Sequence, residues 1–204
     1  MGQMRVSKEE LIEVIRTIAS NKNRPVFVAI SGFGGSGKSM LAHAVADALG
    51  EETVVVPIDD FIIGARNERS DDWRTFDRQR LRRDVLESAV PGKTLCYQKY
   101  NSGDWANNRG GDWREVNAGQ IIIIEGCGTL HPSLMPSYDC SAWIDLSQEQ
   151  ALISAKTRDL ANIELFGDDD TARLWNDIWG PNDADFFKAF RPDQNATFLV
   201  EPQF

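Results

Sequence analysis

Consecutive apolar residues form short runs along the chain, and between these runs apolar side chains recur at helical spacing. The runs predict buried strands at 26–31, 53–58, 120–125 and 142–146, a short strand at 94–98 and an edge strand at 197–200. The spacing predicts helices that begin at 8, 39, 76, 148 and 171 and end near 20, 49, 89, 166 and 179. Strands that are apolar throughout, alternating with amphipathic helices, indicate a parallel sheet covered on both faces.

Two of the predicted helices begin with a capping-box pattern. Ser7 is followed three residues later by Glu10, and Ser147 by Gln150. In such a box the hydroxyl accepts from the backbone N–H of the third residue, whose side chain reaches back to the cap. By contrast, 101–118 has no clear period and 159–172 is interrupted, so we expect both stretches to be insertions over an active face.

The composition favours a single globular domain that spans 1–204. The 204 residues are 42% hydrophobic, and the formal net charge is −9, which argues against binding nucleic acid or an anionic membrane through charge. No apolar run approaches the ~20 residues that a membrane span requires. The three cysteines form no Cys-x-x-Cys pair, so we expect buried, reduced thiols in a cytoplasmic protein.

One segment carries a specific ligand-binding pattern. Residues 32–39 read Gly-Phe-Gly-Gly-Ser-Gly-Lys-Ser, which matches the Walker A pattern in full and lies between a predicted strand and a predicted helix. The glycines let successive N–H groups face one anion, towards which the helix also points its positive end. We therefore expect ATP to be bound by Gly32, Gly34, Gly35, Ser36, Gly37, Lys38, Ser39 and Met40.

Candidate metal-binding and catalytic residues accompany this loop. The Ser39 hydroxyl is a ligand type that Mg²⁺ accepts, and Glu125, at the end of the four-isoleucine strand, could orient a water on that ion. Asp59 comes at the end of the strand after the loop's helix, at the ligand-binding edge of the sheet, and is our candidate general base, with Asp60 as a neighbour that could raise its pKa. The alternatives are a solvated turn or helix cap for the aspartates and a structural ion pair for Glu125.

Further motifs follow in a defined order: Asp59-Asp60-Phe61, Gly92-Lys93-Thr94 leading to Tyr100-Asn101, Ile124-Glu125-Gly126 and Arg158-Asp159. With the loop, this series resembles the uridine kinase-like family of P-loop small-molecule kinases, which includes bacterial pantothenate kinase. The resemblance spans about 26–200. It implies a three-layer α/β P-loop NTPase fold, with an acceptor-site insertion at about 64–118 and a short lid at about 158–180.

The resemblance also implies roles for individual residues. Asp59 matches the family's catalytic aspartate, and Arg158 resembles the lid arginine that contacts the transferring phosphate, with Arg173 as a weaker candidate. The positions that would hold the acceptor are Asp71, Tyr100, Asn101 and Trp105.

The chain departs from the family pattern at several of these positions. Asn101 and Trp105 stand where uridine kinases have an aspartate and a base-reading histidine, and Met40 stands where a threonine is common. The family's lid is rich in arginine, whereas three aspartates at 168–170 make the lid of this chain acidic. Among the tryptophans, the four-residue spacing of Trp175 and Trp179 favours packing, whereas Trp105 is open to either packing or acceptor stacking.

Together these features predict an ATP- and Mg²⁺-dependent kinase that phosphorylates a hydroxyl of a small, nucleoside-like molecule, with Lys38, Asp59 and Arg158 as its catalytic residues. The altered acceptor positions also fit a nucleotide-binding regulatory protein with little or no turnover. A GTPase is disfavoured because the sequence lacks an Asn-Lys-x-Asp motif. We expect no nucleic-acid or membrane partner, and the oligomeric state stays open, with a homodimer as one alternative.

Overall fold

The computed structural model describes residues 4–63, 69, 75–101, 110–161 and 170–202. Its strands are β1 (Met4–Val6), β2 (Val26–Ser31), β3 (Thr53–Pro57), β4 (Thr94–Gln98), β5 (Trp113–Asn117), β6 (Ile121–Glu125), β7 (Cys140–Ile144) and β8 (Phe198–Val200). All but β4 and β5 belong to one parallel sheet, in the order β1-β8-β7-β2-β6-β3. The predicted α/β class with a parallel sheet is therefore confirmed.

Helices connect the strands. They are α1 (Lys8–Ser20), α2 (Lys38–Leu49), α3 (Arg78–Leu81), α4 (Gln148–Ala161), α5 (Asp170–Leu174), α6 (Gly180–Phe190) and α7 (Pro192–Asn195), with π-helical turns at Arg82–Leu86 and Trp175–Trp179. The first capping box is confirmed, because Glu10 N donates to Ser7 Oγ at 3.1 Å and Ser7 N donates to Glu10 Oε2 at 2.8 Å. In the second, Gln150 N donates to Ser147 Oγ at 3.2 Å, but the glutamine side chain accepts from that hydroxyl instead.

The four isoleucines of β6 divide the core in two. Ile121 and Ile123 pack on the side of α1 and α2, and Ile122 and Ile124 pack on the side of α3 and the β4–β5 hairpin. Successive side chains of a strand point to opposite faces, so an unbroken apolar run is what a strand covered on both sides requires.

Two strand predictions fail. The edge strand expected at 197–200 is an inner strand, because β8 pairs with both β1 and β7. The actual edge strand β1 is three residues long, which is too short to display a period. Strand β5 lies in the stretch expected to be aperiodic and pairs antiparallel with β4. Its half-buried positions are Arg114 and Val116, so no apolar alternation marks it.

Several helix or strand ends also differ from the prediction, and the strand expected at 142–146 is Cys140–Ile144. The chain leaves β3 at Pro57 and forms a 3₁₀ turn at Ile58–Phe61, so the strand is shorter than expected. Helix α3 begins at Arg78, where Asp77 caps it, and it continues as a π turn. The helix expected to stop at 179 runs on as α6, because Pro181 lies in its first turn, where a missing N–H is tolerated.

Candidate functional site

The loop between β2 and α2 is fixed to the end of the neighbouring strand β6. Ser31, the last residue of β2, donates its hydroxyl to the carbonyl oxygens of Gly126 at 2.9 Å and Cys127 at 3.0 Å. At the end of the loop, Gly37 adopts φ +89°, and α2 begins at the next residue, Lys38. The positive end of α2 therefore lies at the carboxyl edge of the sheet, where anions bind in such folds.

Lys38 points back into the loop. Its Nζ donates to the carbonyl oxygen of Phe33 at 2.8 Å, and the side chain is buried. Burial by itself lowers the pKa of Lys38, but interactions with Cys127, Asp183 and Glu125 outweigh it and hold the pKa above its usual value. Lys38 is therefore a buried, charged ammonium group beside the loop, as phosphate binding requires.

The loop is tightly enclosed, and only glycine fits at its centre. Gly35 has φ +86°, and a Cβ at this position would overlap the Ala151 carbonyl oxygen of α4. A Cβ at Gly34 would overlap the ring of Trp175. Helix α4 and Trp175 therefore pack directly against the loop backbone, and Trp175 is buried, as the predicted packing role requires.

Ser39 and Glu125, the two predicted Mg²⁺ ligands, meet at the mouth of the loop. The Ser39 hydroxyl donates to Glu125 Oε1 at 3.1 Å, while Oε2 is buried and has no hydrogen-bond partner. Burial raises the pKa of Glu125, and Lys38 opposes the rise. A hard cation suits this pair of oxygens and would satisfy the orphaned Oε2 directly or through water. No group of three or more His, Cys, Asp or Glu side chains in the described ranges could hold a metal unaided.

One cavity joins these groups to two other predicted catalytic residues. Its lining includes Lys38, Ser39, Glu125, Asp59 and Arg158. Asp59 is exposed on the 3₁₀ turn after β3, one strand away from Glu125. The structure thus brings together residues that lie up to 120 positions apart in the sequence, although their roles stay predictions.

Asp60 faces away from this cavity. Its Oδ2 accepts from the Tyr97 hydroxyl at 3.2 Å and from Arg114 Nη1 at 3.3 Å, and both donors belong to the β4–β5 hairpin. Arg114 also donates to the carbonyl oxygen of Val55 at 3.1 Å. Burial raises the pKa of Tyr97, so its hydroxyl stays a donor at neutral pH. Asp60 therefore anchors the turn that carries Asp59 to the hairpin, a contact that the sequence did not reveal.

A second arginine also restrains the turn that carries Asp59. Arg80 of α3 donates to the carbonyl oxygen of Asp60 at 2.8 Å and also bonds to the carbonyl oxygen of Gln98. Its guanidinium lies 4.5 Å from the centre of the Phe61 ring. Arg80 and Arg114 restrain Asp60 and Phe61, which directly follow Asp59 in the turn, so the backbone at Asp59 has little freedom to move.

Arg158 lies at the rim of the cavity, on α4. It pairs with Asp159 through a 2.7 Å contact from Nε, and Asp159 in turn accepts from Trp175 Nε1 at 2.7 Å. The Arg158 side chain is 58% exposed, so it can reach into the cavity mouth. Trp179, which packs edge-on against Trp175 with ring centres 5.0 Å apart, also lines the cavity.

The predicted acceptor residues are less well defined. Asp71 and Trp105 fall outside the described residues. Tyr100 packs against the core on the hairpin side, and neither Tyr100 nor Asn101 is among the residues that line the cavity. Met40 is 69% exposed on α2. These four assignments and the contribution of Met40 to ATP binding stay predictions.

Asp183 and Cys127 are cavity residues that the sequence reasoning missed. Asp183 Oδ2 accepts from the N–H of Gly34 at 2.6 Å, and the carboxylate is buried. The only sequence signal was a polar Asn182-Asp183 pair directly after Gly180-Pro181. The expectation of buried cysteines holds for Cys140 but is wrong for Cys96, which is exposed. In the part of the chain that the structure describes, no helix has the length and apolar character to cross a membrane.

Comparison with known proteins shows which proteins this chain resembles. No protein-family model matches the chain. A uridine kinase from Clostridium perfringens (strain SM101 / Type A) is 29% identical over 147 residues, which is 67% of this chain and 69% of that protein. The chain is therefore similar in sequence to uridine kinases. The matched share exceeds two thirds of both proteins, so the similarity is not confined to the loop.

Solved structures extend the similarity to the whole fold. The chain superposes on a candidate fructose transport system kinase from Silicibacter sp. TM1040 with a TM-score of 0.72 and 21% identity, covering 93% of this chain and 98% of the other. A candidate uridine kinase from Bacillus stearothermophilus gives a TM-score of 0.62 and 17% identity, with coverage of 94% and 99%. These matches confirm the predicted P-loop NTPase fold.

Proposed function

We propose that the chain binds Mg²⁺ and ATP and transfers the γ-phosphoryl group to a hydroxyl of a small, nucleoside-like molecule. The observation that carries this proposal is the shared cavity, in which Asp59 lies with Lys38 and the Ser39–Glu125 pair. The kinase names of the relatives support the reaction class. The nucleoside-like acceptor rests on the similarity to uridine kinases and is the finer part of the proposal.

On the nucleotide side, the loop and Lys38 bind the phosphates. Lys38 is a charged group in a buried environment, where its attraction for an anion is stronger than in water. Ser39 and Glu125 would hold Mg²⁺, which when bound neutralises charge that develops on the phosphate oxygens.

On the acceptor side, Asp59 is the group that receives the proton. The acceptor oxygen forms a bond to the γ-phosphorus as the bond from that phosphorus to the bridging oxygen breaks, and ADP leaves. The acceptor hydroxyl loses its proton to the Asp59 carboxylate as this occurs. Arg158, exposed at the cavity rim, stabilises the charge on the transferring group.

Substitution of Asp59 tests whether this residue acts in phosphoryl transfer and not in ATP binding. We expect Asp59→Ala to lower kcat by at least about 100-fold, because general-base catalysis contributes on that order, and to leave the Kd for ATP within about twofold. The matched control is Asp47→Ala, which removes an exposed carboxylate on the surface of α2. Near-normal turnover of Asp59→Ala would show that another group accepts the proton.

A further inference from the structure

Asp183 lies on the phosphate side of the cavity and has no part in the reaction described above. Its carboxylate is bonded to the backbone N–H of Gly34 in the middle of the loop and is only 8% exposed. We propose that Asp183 is a proton-linked component of the phosphate site, which must take up a proton when the terminal phosphates of a nucleotide bind. The inference rests on the nucleotide-binding half of the proposed function.

The position of this carboxylate is fixed by the surrounding helices. Asp183 belongs to the first turn of α6, and the side chain of Gln148 on α4 donates to the carbonyl oxygen of Gly180 at 2.8 Å. Trp175, directly before α6, packs against Gly34 and bonds to Asp159. These contacts hold the backbone of Asp183 beside the loop, and the 2.6 Å bond from the Gly34 N–H places its carboxylate where a bound phosphate would meet it.

The charges around Asp183 come from three other elements. Lys38 of α2 is attractive, Asp59 of the 3₁₀ turn is repulsive, and the Cys127 thiol after β6 lies 4.0 Å away. Burial raises the pKa of Asp183 to about 6, against the lowering effect of the Gly34 N–H and Lys38. Burial also raises the pKa of Cys127 to about 12, so this thiol is neutral throughout the range in which Asp183 titrates.

A nucleotide would add negative charge to this enclosure even with Mg²⁺ bound, because the magnesium complex of a nucleoside triphosphate keeps a net negative charge. Its phosphates and the Asp183 carboxylate would share one ammonium group and the same loop amides, and two anions in one buried site do not both stay ionised. The pKa of Asp183 must therefore rise when the phosphates bind. In the free protein, Asp183 is mostly ionised above about pH 6. Above that pH, nucleotide binding is therefore accompanied by proton uptake and becomes weaker as the pH increases.

Calorimetry with Mg·AMP-PNP tests this inference without any need for turnover. We would measure the Kd from pH 5.5 to pH 8.5 in pairs of buffers that differ in ionisation enthalpy, which reports the protons taken up. The variant is Asp183→Asn, which can still accept from the Gly34 N–H but cannot ionise. The matched control is Asp185→Asn, which alters an exposed carboxylate two residues further along α6. Titration of AMP-PNP itself is common to all three proteins and cancels in the comparison.

We expect Asp183→Asn to bind more tightly than the unaltered protein above pH 6, with a ratio that grows about tenfold per pH unit and reaches about 30-fold at pH 7.5. We also expect it to take up fewer protons, with Asp185→Asn unchanged. An equal pH dependence in the unaltered protein and Asp183→Asn, or weaker binding by Asp183→Asn at every pH, would overturn the inference and leave nucleotide binding intact. Failure of the unaltered protein to bind Mg·AMP-PNP at any pH would overturn the proposed function as well.

Discussion

The hydroxyl of Ser39 donates a 3.1 Å hydrogen bond to Oε1 of Glu125, which joins the first turn of α2 to the end of β6. The second carboxylate oxygen of Glu125 is buried without a hydrogen-bond partner. An unsatisfied buried oxygen costs free energy. A cation that is bound directly or through water would remove this cost, and the arrangement therefore favours cation binding.

Removal of the Glu125 charge should therefore weaken the response to Mg²⁺. We expect Glu125→Gln to raise the Mg²⁺ concentration for half-maximal nucleotide binding by about tenfold or more, the usual effect of losing a group that supports a metal. Binding measured without metal should change little. Fluorescence titration with Mg²⁺ at fixed nucleotide measures this, with Glu115→Gln on exposed β5 as the control. An unchanged Mg²⁺ requirement would assign Glu125 to a structural role.

The hairpin contact with Asp60 predicts a positioning role for Arg114. Loss of its bonds to Asp60 and to the Val55 carbonyl frees the turn that carries Asp59. Because small misplacements of reacting groups are costly, we expect Arg114→Ala to lower kcat by about 10- to 100-fold, with the Kd for nucleotide unchanged. Arg114→Lys should restore part of the activity.

Steady-state kinetics together with calorimetry would separate these two quantities. Arg83→Ala removes an exposed arginine that pairs with its neighbour Asp84, and it serves as the control. A parallel loss of nucleotide affinity in Arg114→Ala would contradict a role confined to the turn that carries Asp59.

The contrast between Ile121–Glu125 and Trp113–Asn117 shows how much of the fold the sequence could predict. Strand β6 is buried on both faces, and its unbroken apolar run therefore follows directly from the apolar neighbours on each side. Strand β5 is half-exposed, and its inward positions include Arg114, whose partner Asp60 is 54 positions away. Local patterns therefore identify strands that contact apolar neighbours, but they miss a strand whose inward side chains bond to distant polar groups.

Gly126 offers a direct test of close packing behind the site. Its φ is +139°, and an added Cβ would overlap the Cγ2 methyl of Ile58, which is fully buried. We expect Gly126→Ala to lower the free energy of unfolding by about 2–4 kcal/mol, from backbone strain and overpacking together. Gly92 has φ +76° with no atom near an added Cβ, so Gly92→Ala should cost about 1 kcal/mol. Equal losses in denaturant unfolding would contradict the predicted overlap.

Asp139 predicts a pH-dependent stability. Its side chain is only 6% exposed and accepts from Arg24, Lys22 and the N–H of Phe27. Burial opposes ionisation, but these donors prevail and hold the pKa below its usual value of 3.8. The carboxylate therefore stabilises the fold above pH 4, and its contribution is lost as the pH falls through the lowered pKa.

We expect Asp139→Asn to lower the free energy of unfolding by about 1–3 kcal/mol at pH 7 and to approach the unaltered protein at acid pH, as the pH falls through the lowered pKa. Asp145→Asn affects a more exposed pair with Arg5 and should cost less than about 1 kcal/mol. Thermal unfolding at both pH values measures the difference, and a constant deficit at every pH would contradict the ionic account.

The candidate site was predictable only where residue type and position are both constrained. The loop has a fixed spacing, and Asp59 and Glu125 follow buried strands, so these residues could be named in advance. Asp183 could not, because its contact with Gly34 depends on how α6 packs against a loop 149 positions earlier in the chain. The polar Asn182-Asp183 pair is too weak a signal to distinguish Asp183 from an exposed helix aspartate such as Asp185.

The most direct test of the central claim follows the γ-phosphoryl group itself. Labelled ATP, Mg²⁺ and a panel of nucleosides, vitamins and sugars would be incubated with the protein and with Asp59→Ala, and products would be detected by mass spectrometry. We predict that the unaltered protein phosphorylates at least one hydroxyl compound and that Asp59→Ala phosphorylates none. Binding of Mg·AMP-PNP without any phosphorylated product across the panel would contradict the kinase assignment and indicate a nucleotide-binding regulatory protein.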